Sequence, residues 1–208
     1  MPRRNSGGFT LIELLTVLGV FSVLLGFSVL SLNGSLDNYR ISSTAAQVQS
    51  DLSYAAQYAS KSNAAVFFRF YRYRTDRDGR YRTWFRAYQL LQRDSSSGDM
   101  VPLGKVRFFE KGIVLHPDSQ FSNLLERPIL SPGESDPAIP IGFRNYETRS
   151  RAYEFCELRL NPDGSTSLEK DRSWSIALIF ENQANDFRLP DSARVLVINS
   201  ITAATRIY

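Results

Sequence analysis

The chain has 208 residues, which is enough for one globular domain or for one domain with an attached stalk. Its only cysteine, Cys156, excludes a fold that is held together by internal disulfides. The formal charge is only +4, and two arginines of the first eight residues supply half of it, so the charge balance gives little support to a nucleic-acid-binding protein.

The N-terminal part of the chain combines a short polar leader, residues 1–8, with a long apolar segment. Residues 14–32 carry no charge, and nineteen helical residues measure roughly 28 Å, close to the hydrocarbon core of a bilayer. Cations precede this segment and none follows before Arg40, so the positive-inside rule places the N-terminus in the cytoplasm. The pattern predicts a transmembrane helix over residues 9–32.

One carboxylate, Glu13, distinguishes this segment from an ordinary signal peptide or a plain signal anchor. A charge at the centre of a membrane helix costs about 2.5–3.5 kcal/mol on insertion scales, so such a group usually has a partner and a role. Two small residues, Gly7 and Gly8, come directly before Phe9. The run Gly8-Phe9-Thr10-Leu11-Ile12-Glu13-Leu14 resembles the cleavage and methylation motif of type IV prepilins.

This resemblance implies a processing reaction and an assembly contact. A membrane prepilin peptidase is expected to cut between Gly8 and Phe9 and to N-methylate the new amine of Phe9. Glu13 is expected to pair with the Phe9 ammonium of a neighbouring subunit, because opposite charges compensate each other in a low-dielectric helix bundle. Gly8 and Phe9 are substrate positions, and no residue of this chain is expected to be catalytic.

Beyond the apolar segment the sequence predicts a second, amphipathic helix within residues 33–63. A polar patch at residues 31–35 is expected to form a flexible join. Apolar residues then recur at steps of four and three: Ile41, Ala45, Val48, Leu52, Ala55 and Ala59. This stripe predicts a stalk helix that lays one face on a globular head, with Gln49 and Asp51 on other faces.

The head, residues 64–208, is expected to be rich in β-strands. The predicted strands are Ala65–Tyr73, Tyr81–Leu91, Val101–Phe109, Ile113–His116, Tyr153–Leu160, Trp174–Phe180, Arg194–Asn199 and Thr205–Tyr208. A hairpin joins the first two, Asn161-Pro162-Asp163-Gly164 forms a turn, and residues 117–140 form a proline-rich loop. One long helix followed by antiparallel strands predicts an α+β fold in which the helix packs on an antiparallel sheet. Alternation places Cys156 on the apolar face of its strand, as a small buried residue.

Parts of the head resemble the GspH/FimT family of minor pseudopilins. The resemblance rests on the helix-to-strand run from Ala46 to Phe67, on Leu160-Asn161-Pro162-Asp163-Gly164 and on the closing stretch from Val195 to Tyr208. It implies a type IV pilin-like fold. The Verru_Chthon cassette protein D group is a narrower candidate. The proline-rich loop and an arginine-rich hairpin depart from a compact member of the family.

The arginine-rich hairpin is the one candidate binding surface in the head. Its candidate nucleic-acid contacts are Arg69, Arg72, Arg74, Arg80, Arg82 and Arg86. Tyrosines and Trp84 lie between them, and arginine with aromatic rings suits single-stranded nucleic acid. The alternative is a solvated hairpin whose arginines pair with acidic residues of neighbouring subunits.

Other chemistry has little support. His116 is the only histidine, and the sequence contains no glycine-rich phosphate loop and no pair of cysteines. Asp76-Arg77-Asp78-Gly79 resembles the middle of a calcium loop, but the later glutamate is missing and a plain turn is favoured. We therefore expect no catalytic site, no metal and no cofactor.

The leading hypothesis is a minor pseudopilin that initiates or tips the pseudopilus of a type II secretion-like system. Its partners would be the prepilin peptidase and other pseudopilins in a hetero-oligomeric filament. It would be a single-pass protein of the bacterial inner membrane with its head in the periplasm. The alternatives are a DNA-binding minor pilin of a type IV pilus and, with less support, a membrane-anchored exported enzyme.

Overall fold

The computed structural model describes most of the chain: residues 10–77, 80–133, 136, 153–186 and 188–208. The side chains of residues 25–35 and 74–82 lie outside this description. Contacts divide the chain into two compact units, residues 1–40 and residues 41–208.

One α-helix, α1 (Leu11–Ser62), covers most of the segment predicted as a span, residues 9–32, and most of the predicted stalk helix, residues 33–63. The backbone is helical through residues 31–35, where the sequence predicts a flexible join. A glycine costs a helix only about 1 kcal/mol relative to alanine. Helix propagation from both sides is cooperative, so Gly34 does not interrupt it.

The apolar stripe of α1 packs on the head, as predicted. Its members, Ile41, Ala45, Val48, Leu52, Ala55 and Ala59, are all buried. The expectation that Asp51 lies on another face is wrong, because this carboxylate is also buried. It accepts a hydrogen bond of 2.7 Å from the Tyr88 hydroxyl and lies 3.2 Å from the Nε of Arg107. Asp51 therefore joins the helix to the strands through a polar contact that offsets its burial.

The strands form two antiparallel sheets. They are β1 (Val66–Arg77), β2 (Arg80–Arg93), β3 (Met100–Pro102), β4 (Arg107–Phe108), β5 (Ile113–Leu115), β6 (Tyr153–Leu160), β7 (Trp174–Phe180), β8 (Arg194–Ile198) and β9 (Thr205–Ile207). Sheet A has the order β3-β2-β1-β6, with β4 also paired to β2, and sheet B has the order β5-β7-β8-β9. The predicted α+β class, with a helix packed on antiparallel strands, is confirmed.

Two segments of the structure differ from the sequence prediction. The single strand expected at Val101–Phe109 is wrong, because β3 ends at Pro102 and β4 begins at Arg107. Proline lacks an amide donor and Gly104 adds little packing, so the ladder is interrupted there. The proline-rich loop contains a short 3-10 helix, Asn123–Glu126. Residues 134–135 and 137–140 of that loop lie outside the described residues.

A β-bulge in β2 directs the side chain of Arg86 towards sheet B. Tyr71 pairs with Ala87 whereas Arg72 pairs with Phe85, so Arg86 is an extra residue without a partner in β1. The bulge shifts the alternation of side chains, and Phe85 and Tyr88 both enter the main core with the α1 stripe. Arg86 instead binds a carboxylate that follows β7 in sheet B.

Candidate functional site

The N-terminus of α1 is closed by a capping box of Thr10 and Glu13. The Thr10 amide and hydroxyl donate to Oε2 of Glu13 at 3.0 and 3.1 Å. The Glu13 amide donates to Oγ1 of Thr10 at 3.3 Å. The backbone amides of Thr10 and Glu13 have no carbonyl partner within the helix, and each is satisfied by the side chain of the other residue. Within one chain, the Glu13 carboxylate already has a structural role.

Thr10 is a residue that the sequence interpretation missed. Its signal was present, since threonine followed three residues later by glutamate before an apolar run is the capping-box pattern. The predicted cleavage positions Gly8 and Phe9 lie outside the described residues. The predictions made for them, including methylation of Phe9, stay predictions.

The first turns of α1 present apolar side chains on every face. The large apolar residues from Leu11 to Leu24 are each 50–79% exposed. A helix that is apolar all round is normally covered by lipid or by other protein chains. Among the described residues, no helix combines the length and the apolarity that crossing a membrane requires. The transmembrane helix expected at residues 9–32 stays a prediction.

Arg69, the first candidate nucleic-acid contact, is buried in sheet A with only 3% of its side chain exposed. Its guanidinium donates to Asp136 at 2.6 Å and to Glu157 at 2.9 and 3.2 Å. It also lies 3.6 Å from the centre of the Phe155 ring. Two carboxylates and an aromatic ring of the same chain contact this guanidinium, so Arg69 is poorly placed to bind a phosphate.

Two further hairpin arginines pair with carboxylates of distant segments. Arg72 binds Glu154 of β6 through its Nε at 2.8 Å. The guanidinium of Arg86 donates two hydrogen bonds, of 3.0 and 2.7 Å, to the Glu181 carboxylate. This bidentate ion pair joins sheet A to the residue after β7. Their acidic partners lie in the same chain and not in the hairpin itself. The side chains of Arg74, Arg80 and Arg82 lie outside the described residues, so their contacts with nucleic acid stay predictions.

Cys156 and His116 are packed into the head. Cys156 is fully buried, and this burial raises the pKa of its thiol to about 12, so the expected small buried residue is confirmed. His116 follows β5, accepts a hydrogen bond of 3.1 Å from the Asp118 amide and meets the edge of the Phe121 ring. Burial lowers the pKa of His116, which favours the neutral imidazole.

One family comparison identifies the N-terminal segment. The family described as the prokaryotic N-terminal methylation motif matches residues 3–29. With the α+β fold, this match supports a type IV pilin-like, prepilin-type protein. Such proteins are processed by a prepilin peptidase and assemble with other pilins as structural subunits. No curated protein and no solved structure matches the chain.

Proposed function

We propose that this protein is a minor pseudopilin that initiates or tips the pseudopilus of a type II secretion-like system. One observation carries the proposal: Glu13 lies at the start of a helix whose large apolar side chains from Leu11 to Leu24 are exposed, and the far end of the same helix packs into a folded head. A subunit that polymerises through its N-terminal helix needs this arrangement. The GspH/FimT resemblance of the head supports a minor position in the filament.

The proposed mature chain begins at Phe9 after removal of residues 1–8. Before assembly, residues 9–32 anchor it in the inner membrane, with the head, residues 64–208, in the periplasm. The cations of the leader remain on the cytoplasmic side, as the positive-inside rule requires. Residues 33–63 connect the anchor to the head.

The chemistry at the membrane is a pairing of charges between subunits. Glu13 holds the Thr10 amide of its own chain, and a carboxylate can accept further hydrogen bonds at its remaining lone pairs. We propose that the methylated Phe9 ammonium of a neighbouring subunit donates to these positions. Both charges then enter the helix bundle together, which avoids an unpaired charge in a medium of low dielectric.

The processing step gives the first prediction. In cells that contain the prepilin peptidase, the wild-type chain and Gly8→Ala should both lose residues 1–8, whereas Gly8→Glu should retain them. The reason is that the peptidase needs a small residue directly before Phe9. Mass spectrometry of the N-terminal peptide measures the cut and the methyl group. A wild-type chain that retains Met1 in such cells would contradict the prepilin assignment.

The paired arginines favour this structural role over a DNA-binding pilin. Three of the six candidate contacts already bind carboxylates of the same chain. We therefore expect that the triple change of Arg74, Arg80 and Arg82 to serine leaves assembly unchanged. We also expect the wild-type chain to shift a single-stranded oligonucleotide no more than the triple variant does.

A gel-shift series over increasing salt measures this difference. Strong wild-type binding that weakens steeply with salt and disappears in the triple variant would replace the structural role with a DNA-binding one.

A further inference from the structure

One edge of β7 is only partly covered by a neighbouring strand. β5 pairs with the last three residues of β7, residues 178–180. The pairing ends where the His116 amide donates to the Ala177 carbonyl at 2.8 Å, because the chain then turns away from the sheet at residues 117–119. The first half of β7 therefore needs other partners for its backbone groups on this side.

Polar side chains take the place of a strand there. Oγ of Ser122 accepts a hydrogen bond of 3.0 Å from the Ala177 amide, and Oδ1 of Asn123 accepts one of 2.7 Å from the Ser175 amide. Nδ2 of Asn123 donates to the Ser173 carbonyl at 2.9 Å. Two side chains thus satisfy the backbone that a strand would otherwise pair. We name residues 116–123, which carry them, the latch.

The latch is anchored at both ends and loosely packed between them. Leu115 and Leu124, which flank it, are fully buried in the main core. Within the latch only His116 and Ser122 are buried, and Phe121 is half-buried. Opening the latch therefore removes little apolar surface from the core, and segments of this kind open at a lower free energy than the rest of a fold.

His116 forms the first turn of the latch. It is only 1% exposed, its Nδ1 accepts a hydrogen bond of 3.1 Å from the Asp118 amide, and its ring centre lies 4.9 Å from that of Phe121. A ring nitrogen that accepts a hydrogen bond carries no proton, so the neutral ring has its proton on Nε2. This Nε2 is buried and makes no well-formed hydrogen bond with the described residues.

Protonation of His116 opposes this arrangement in two ways. A proton on Nδ1 faces the Asp118 amide, so the hydrogen bond that closes the turn is lost. Burial disfavours the imidazolium and lowers the pKa of His116. The groups that face the ring and act in the opposite direction are the carboxylates of Asp118 and Asp186 and the backbone of Asp186, and they offset the effect of burial only in part.

We propose that the latch is a pH-sensitive switch, which covers the edge of β7 at neutral pH and opens when His116 takes up a proton. In the open latch the ring is in water, where its pKa returns to about 6.5. The pKa in the closed latch is lower, so the closed form is fully favoured above about pH 6.5 and loses stability as the pH falls below it. His116 is the only histidine of the chain, so no second imidazole titrates in this range.

Opening of the latch changes what the head presents to other chains. The Ser175 and Ala177 amides lose their acceptors together, and both lie on the same edge of β7. A sheet edge with free amides is a template for another strand. Acid would therefore convert a closed edge of sheet B into an open one, while Leu115 and Leu124 keep the latch attached to the core.

The test follows hydrogen exchange of single amides by NMR, in the full chain in detergent micelles, at about pH 7.5 and about pH 5. Each rate is compared with that of an unstructured peptide at the same pH, because intrinsic exchange also depends on pH. We expect the protection of the Ser175 and Ala177 amides to fall about threefold or more at the lower pH. The Ile176 amide, which points to Leu196 of β8, is the control on the same strand and should keep its protection.

His116→Asn is the matched variant. Asparagine offers an oxygen close to the position of Nδ1 and does not titrate, so the variant should show the same protection at both pH values. In the wild-type chain, the NMR titration of the His116 ring should have the same midpoint as the loss of protection at Ser175 and Ala177. This second measurement needs no variant to fold.

Three results would overturn the proposal. The first is unchanged protection of Ser175 and Ala177 in the wild-type chain at the lower pH. The second is an equal loss of protection in His116→Asn, or a ring titration with a different midpoint. The third is loss of protection at Ile176 together with reaction of the buried Cys156 thiol, which would mean that the whole head unfolds in acid. None of these results depends on whether the protein joins a filament.

Discussion

Replacing Arg69 with methionine should lower the free energy of unfolding of the head by about 3–5 kcal/mol, the usual cost of removing one member of a buried ion pair. Arg69 holds Asp136 at 2.6 Å and Glu157 at 2.9 Å, and Asp136 is itself mostly buried. Without the guanidinium, the Asp136 carboxylate would remain desolvated and without its cation. The contact of the cation with the Phe155 ring would also be lost. Urea unfolding of the full chain in detergent, followed by tryptophan fluorescence, measures the loss.

Arg172→Met is the matched control for this experiment. Arg172 also pairs with a carboxylate and lies over an aromatic ring, but its side chain and that of Glu126 are 38% and 42% exposed. Exposed pairs contribute little to stability because water screens them, so the control should be close to wild type. If Arg69→Met proves as stable as Arg172→Met, the hairpin arginines do not hold the head together. The case for Arg69 as a binding residue would then be stronger.

Glu13→Gln should impair filament incorporation nearly as much as Glu13→Ala, although only alanine removes the capping box. Glutamine keeps an oxygen that can accept from the Thr10 amide, so it preserves the cap and loses only the charge. Under the proposed pairing, the Phe9 ammonium of the neighbour would enter the bundle without a partner in both variants. An unpaired charge of this kind costs about 3–5 kcal/mol, which corresponds to a loss of roughly a hundredfold or more in assembly. Cleavage and insertion should be intact, since removing an intramembrane carboxylate makes insertion easier.

Thr10→Val supplies the complementary control, because it removes the capping hydroxyl and keeps the charge of Glu13. Loss of a cap costs about 1 kcal/mol of helix stability, so this variant should still assemble. Membrane fractionation and crosslinking to the major pseudopilin compare the variants. If Glu13→Gln assembles normally while Glu13→Ala and Thr10→Val do not, Glu13 acts through the cap alone. The proposed pairing between subunits would then be wrong.

The features that the sequence predicted best depend on residues close together in the chain. The α1 stripe and the burial of Cys156 follow from local periodicity, and β6 and β7 have the bounds that were predicted. The capping box was also readable, since Thr10 and Glu13 are three residues apart. The prepilin motif is a contiguous run for the same reason, and the comparison that matches residues 3–29 agrees with it.

The tertiary structure alone decided the partners of the charged residues. Arg69 meets Asp136 and Glu157 across 67 and 88 positions of sequence, and Arg86 meets Glu181 across 95. The hairpin sequence itself does not contain these carboxylates, because they come from the proline-rich loop, from β6 and from the residue after β7. Asp51 is buried for a similar reason, since Tyr88 and Arg107 reach it from strands that the helix pattern does not contain.

The division into two sheets was likewise not determined by the sequence pattern. Alternation shows which face of a strand is apolar, but the choice of neighbouring strand depends on long-range contacts. The bulge at Arg86 shifts that alternation by one residue, so the inward faces of β2 change along the strand. Local periodicity and motifs thus determined the buried stripe of α1, most strands and the prepilin-type start, whereas contacts between distant segments decided the ion pairs and the bulge.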